Sequence, residues 1–168
     1  MYDEMRLVLS RQKFTESRVS RTLYETLRNI QTEQVLAQAI NLDFHKKWNQ
    51  SNTIHYGTEY VYNHVNSKGT IEETNTGLLS AGPSRYPQAD WQSLGIYATN
   101  DREINEKWNL NSGLRINLFG LAASFDTTFY SLPFTTAQQS DASLTGSVGA
   151  VYRPSATWII NINAGTAF

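Results

Sequence analysis

The stretch Lys107–Gly120, KWNLNSGLRINLFG, decides the fold. Its even positions carry Trp108, Leu110, Ser112, Leu114, Ile116 and Leu118; its odd positions carry Asn109, Asn111, Gly113, Arg115 and Asn117. Alternation sustained over about ten residues is the period-two signature of a strand with two unlike faces. One face must sit against something apolar, while the other holds an arginine and three asparagines. Whether that apolar surrounding is a protein core or a lipid bilayer decides what the protein does.

Composition narrows the choice. The 168 residues suit one domain. A net charge of −1, with no Lys/Arg cluster interleaved with aromatics, speaks against a nucleic-acid partner. The absence of cysteine excludes a disulfide scaffold. No signal peptide precedes the first strand-like segment, and no run reaches the roughly 18 apolar residues of a spanning helix. A spanning β-barrel remains open, because alternating strands average to modest hydropathy.

The pattern predicts about seven strands. The first, Glu4–Arg18, alternates poorly. Gln34–Trp48 and Thr53–Val65 follow, joined by a short NQSN turn. A long polar segment, Asn66–Asp90, leads to Trp91–Asp101 and, through a turn around Glu103, to the opening stretch. A second long segment, Leu121–Asp141, precedes Ser143–Arg153, and a tight PSA turn gives Thr157–Phe168. A helix competes only within Ser20–Gln38, where Leu23, Leu27, Ile30 and Leu36 are loosely spaced. Short and long connections alternate, so an antiparallel up-and-down sheet would gather all short turns at one end. Outer-membrane barrels sort their loops in this way; a soluble sandwich has no reason to.

Residues directly opposite in a hairpin share a face, so parity can be carried through the turns. With Gln50, Glu103 and Ser155 as turn centres, even positions collect an apolar band across six strands. Odd positions collect a polar, glycine-rich face that includes Asp43, His45, His55, Glu59, Asn109, Asn111, Arg115 and Asn117. Trp48, Trp108 and Trp158 all fall on the apolar face, each within a few residues of a short turn. Tyr152, expected opposite Trp158, joins them in a row suited to a membrane–water interface. Such a sheet cannot stand alone in lipid, where unpaired edges are intolerable. Closing tightly on itself would bury the polar face, at roughly 1–3 kcal/mol for each unpartnered group. The expectation is an all-β, antiparallel, up-and-down transmembrane β-barrel segment of about seven strands, forming part of a larger barrel with a wet or plugged lumen.

Several phrases carry a resemblance: AQAINLDFHKKW, IHYGTEYVYNHVNSKG, SRYPQADWQSLGIYATN, WNLNSGLRIN and LTGSVGAVYRPSATWIININAGTAF. Together, and in this order, they resemble the barrel of TonB-dependent outer-membrane receptors over nearly the whole chain. The resemblance implies a large barrel in the cell outer membrane of a Gram-negative bacterium. It implies as partners the surrounding lipid, the protein's own plug domain and, through it, the TonB complex. It also implies uptake of a scarce small ligand such as an iron chelate, haem, cobalamin or a glycan. Plug, TonB box, signal peptide and remaining strands are not found within residues 1–168, which are therefore expected to be a barrel fragment. The closing GTAF resembles the first letter of the family's FRAP phrase rather than a barrel's aromatic C-terminus. Another outer-membrane barrel such as a porin, or a soluble β-sandwich binding module, is the alternative.

No phosphate loop, H-E-x-x-H or nucleophile elbow is present, so no catalytic residue and no enzymatic activity are expected. His45 and His55 face each other across a turn centred on Gln50, but two residues fall short of a usual metal set, and neither metal nor cofactor is expected. His64 has the other parity. Ligand recognition is expected in the long loops, where Arg85, Tyr86, Trp91, Phe129, Tyr130 and Phe134 could meet a ligand.

Overall fold

A computed structural model describes residues 1–167; Phe168, and with it the reading of the terminal phrase, lies outside the described residues. Eight strands form one antiparallel sheet: β1 (Glu4–Arg21), β2 (Leu27–Asn49), β3 (Asn52–Glu73), β4 (Leu78–Gly82), β5 (Gln88–Asn105), β6 (Trp108–Ser124), β7 (Thr136–Ser155) and β8 (Trp158–Gly165). The order is β1-β2-β3-β5-β6-β7-β8, with β4 pairing only with the far end of β3. The helical alternative over Ser20–Gln38 is not taken. Its leucines lie in the β1–β2 connection or on β2, where a ladder with β1 and β3 supplies the backbone partners.

The strands are longer than their apolar signal. β3 runs for 22 residues, about 75 Å of chain, so the expected loop Asn66–Asp90 is largely strand: β3 to Glu73, a turn through Gly77, and β4. Beyond the apolar band both faces are polar, and no period marks the strand there. An Arg28–Glu72 ion pair at 2.7 Å braces the extension. The β5–β6 turn lies at Glu106–Lys107 rather than Glu103, and Leu94 faces Leu118.

The three short turns repeat one construction. Each is preceded by a register irregularity, at Lys47/Asn49, Glu103/Asn105 and Tyr152/Ser155, which bends the strand into the turn. The Asn49 side-chain oxygen accepts from the Ser51 amide at 2.9 Å, and that of Asn105 from the Lys107 and Trp108 amides at 2.9 and 3.0 Å. These Asx closures explain asparagine at both positions.

A core is missing. Among the described residues Ala123, at 9% exposure, is the single buried apolar side chain. Among the described residues the strands pack in quantity only against their partners in the sheet, so the sheet is a single layer. A β-sandwich, which buries the inner faces of two sheets, is ruled out by this arrangement.

Candidate functional site: the two faces of the wall

The faces keep the expected parity from β2 to β8. Along the middle of β6 the apolar side chains are the exposed ones: Leu114 is 63% exposed and Ile116 and Leu118 are also exposed, while Asn111, Arg115 and Asn117 are half-buried. This is the inverse of a soluble strand. On β1 parity reverses, because Met5, Leu7 and Leu9 oppose Phe44, Leu42 and Ile40. The apolar band therefore crosses all seven principal strands, and the poor alternation of β1 hid its share.

The far edge of the band slants across the ladder. It ends at Leu36 on β2, Tyr62 on β3, Leu94 on β5, Leu118 on β6 and Leu144 on β7. In register, Leu36 faces His64 (two beyond Tyr62 towards the far end), Tyr62 faces Gln92 (two beyond Leu94), Leu94 faces Leu118, and Leu144 faces Ile116 (two short of Leu118). A descent of about 20 Å over about 19 Å of sheet width gives a slope near 45°. Strands tilted by that angle in a closed barrel would level the edge into a horizontal plane. On β1 the band stops earlier, at Leu9, where Arg11 and Lys13 follow. Along β6 the strip Trp108–Leu118 spans about 25 Å of height at that tilt, a bilayer's hydrocarbon depth.

Aromatic rings mark both edges. At the short-turn edge Trp48 and Trp158 stand exposed, and Trp108 stacks on Tyr152 with centroids 4.3 Å apart. Tyr152 pairs with Ile160, not Trp158, because the β7–β8 turn is centred one residue later than expected. At the far edge the Tyr62 hydroxyl bonds Asp90, and His64 Nδ1 lies 2.8 Å from the same carboxylate. Tyr60 donates to Gln92 at 3.1 Å.

The polar face is a connected lattice. Arg115 Nη2 donates to Glu59 at 2.8 Å and Nε to Asn117 at 2.6 Å, while Tyr97 donates to Asp43 at 2.5 Å. Glycine makes room for this. A Cβ on Gly95 would lie 2.3 Å from the Arg115 guanidinium, and one on Gly57 2.8 Å from the Tyr97 hydroxyl. Asn109 and Asn111 share this face on β6. His45 and His55 are opposed, with ring centroids 4.8 Å apart, and His55 Nε2 is 3.9 Å from Asp101. Among the described residues no three or more His, Asp or Glu side chains are placed to share a metal.

The six loop residues are not brought together. Arg85 and Tyr86 lie between β4 and β5, in a segment that folds back over β2 and β3, where the Tyr86 amide bonds Ser67 Oγ. The Arg85 guanidinium sits over the Tyr86 ring at 4.9 Å. Trp91 is on β5 rather than in a loop, and packs on Phe119 from the polar face. Phe134 meets Phe125 edge-on at 5.1 Å within the β6–β7 loop, leaving Phe129 and Tyr130 exposed there. In that loop the Thr128 hydroxyl and amide hold the Asp126 carboxyl below its usual range. Among the described residues Glu33 and Ser67 are the two buried polar side chains, and the sequence reading singles out neither. Glu33 lies within Ser20–Gln38, and no local pattern singles it out.

The search of curated proteins returned no match. Among solved structures the chain is similar to the copper transporter OprC, at 15% identity and TM-score 0.61, covering 83% of this chain and 21% of that one. It is similar also to the ferric citrate transporter FecA in its unliganded form, at 12% identity and TM-score 0.64, covering 96% of this chain and 24% of that one. The chain thus spans about a fifth to a quarter of either protein's length. At these identities the likeness speaks to fold alone. Residues 6–168 match the family described as TonB dependent receptor-like, beta-barrel. The exposed apolar band, the half-buried polar lattice, the sorted turns and this match agree: the chain belongs to the TonB-dependent receptor β-barrel family and forms a segment of the barrel wall.

Proposed function

We propose that the chain is wall of a cell outer-membrane receptor that takes up a scarce small ligand with energy supplied through TonB. The observation that carries this reading is the inverted exposure. A sheet whose apolar face is open and whose polar face is half-buried suits lipid outside and a filled, wet lumen inside. The open edges at β1 and β8 call for further strands to complete the barrel. The lumen lattice from Asp43 to Asn117 is the surface on which the protein's own plug domain would rest. The short turns then face the periplasm and the long extensions the exterior, so that Trp48, Trp108, Tyr152 and Trp158 form the inner-edge girdle.

Recognition of an iron chelate, haem, cobalamin or glycan would fall to the outer end, with Arg85 and Tyr86 on one side and Phe129, Tyr130 and Phe134 on the other. Trp91 would contribute from the lumen wall. The reading assigns the wall no catalytic role. The decisive experiment supplies each candidate as sole source to a strain lacking the gene, with and without functional TonB. Growth restored by one ligand, dependent on TonB and reduced by alanine at Phe129 and Tyr130, supports the reading. Growth independent of both gene and TonB on every source would end it.

A further inference from the structure

Glu33, on the polar face of β2, is only 6% exposed, and neither carboxylate oxygen has a hydrogen-bond partner among the described residues. It lines a pocket of about 430 Å³ whose walls include Phe14, Val35, Val65 and Tyr86, with Glu16 at the rim. Glu16 is the direct cross-strand neighbour of Glu33. The roof is the segment that follows β4. Its backbone presses so closely on Gly69 that a Cβ there would lie 2.1 Å from the Pro83 oxygen. Gln31 donates to that same oxygen at 3.2 Å, and Gln88 to the Ser67 carbonyl at 2.8 Å. Arg85 lies over its own Tyr86 ring and reaches Glu16 at 3.9 Å, and among the described residues no cation pairs with Glu33. A roof held this firmly over an unpaired acid is a built cavity rather than a chance gap.

We propose that this pocket binds an organic cation, a guanidinium or alkylammonium group, with Glu33 as its counter-ion. The chemistry favours that class over a metal. Two carboxylates and aromatic walls offer a planar or alkyl cation an ion pair, a ring face and apolar contact for its stem. A hard divalent ion needs six or more oxygens, which Phe14, Val35 and Val65 do not supply. The cation has two possible sources: a diffusing ligand in the lumen, or a Lys or Arg side chain elsewhere in the full-length protein. The inference uses only the geometry of this wall, so it stands apart from the identity of the transported ligand.

The test uses the full-length receptor in detergent, with butylguanidinium as probe, its neutral isostere butylurea as control, and calcium as competitor class. For a diffusing cation, butylguanidinium raises the melting temperature, butylurea does not, and Glu33→Gln weakens the apparent affinity at least about tenfold. For a cation from the protein itself, the probe has no effect and Glu33→Gln lowers the melting temperature. That drop is diagnostic, because removing a truly unpaired buried charge stabilises a fold. The proposal is overturned if the probe is without effect and Glu33→Gln melts at the same or a higher temperature. It is also overturned if calcium alone gives the Glu33-dependent shift. Glu16→Gln, at the rim, is expected to change either readout less than Glu33→Gln.

Discussion

Adjacent residues on β7 offer a sharp test of the two faces. Val148 is 57% exposed and stands midway along the β7 strip between Leu144 and Tyr152. At a tilt near 45° that places it about 10 Å from either edge, close to the middle of the hydrocarbon. Ser147 precedes it and points to the other side of the sheet, opposite Gly113. An arginine at mid-bilayer on the lipid face of a barrel costs about 2–4 kcal/mol. Val148→Arg should therefore lower the folding equilibrium by about 30- to 1000-fold. Ser147→Arg puts the same side chain into the lumen, where water or other polar groups solvate it, and should cost about 1 kcal/mol or less. Urea titration of the full-length receptor in lipid vesicles reads both, with the heat-modifiable gel shift reporting the folded barrel. Equal losses for the pair, or a larger loss for Ser147→Arg, would refute the assignment of faces.

Three further outcomes are expected. Trp108→Ala should destabilise the vesicle-embedded receptor more than Trp158→Ala, by about 0.5–1.5 kcal/mol, because Trp108 also loses its stack on Tyr152; equal losses by the same titration would remove the stack from the argument. Gly95→Val should displace the Arg115 guanidinium from Glu59 and cost about 1–3 kcal/mol, and most of that cost should vanish in an Arg115→Ala background. A double-mutant cycle showing full additivity would contradict the close approach. The Asp126 carboxyl titrates below its unfolded value, so its hold on the Thr128 amide is intact above the ordinary carboxylate range and is lost as pH falls through the lowered value. The protection of that amide, measured against its intrinsic exchange rate at each pH, should fall only under such acid conditions, and Asp126→Asn should remove this pH dependence of protection.

The faces were legible in the sequence because strand parity survives some errors. Placing a turn at Glu103 moved the partner of Leu94 from Leu118 to Ser112, an even slip, and every side chain kept its side. The same holds at the last hairpin, where Tyr152 stacks on Trp108 and does not face Trp158, yet stays in the aromatic row at the short-turn edge. An odd turn reverses parity, and this is why Met5, Leu7 and Leu9 share the band with Phe44, Leu42 and Ile40 although their numbers are odd. Strand length was not legible past the band, since outside a bilayer neither face of β2 or β3 needs to be apolar. The Glu33 pocket was the least legible part. It is closed by Tyr86 and its neighbours, far along the chain from β2, and only the fold brings them together.

Site-directed spin labels placed one at a time from Leu114 to Leu118 in the full-length receptor in vesicles would test most directly which face of KWNLNSGLRINLFG is wet. Labels at 114, 116 and 118 should relax with oxygen dissolved in the lipid, and labels at 115 and 117 should be shielded from it and reached, if at all, by a water-soluble nickel chelate. A profile without period two, or one in which 115 and 117 are the lipid-exposed positions, would contradict a wall with its polar face inward.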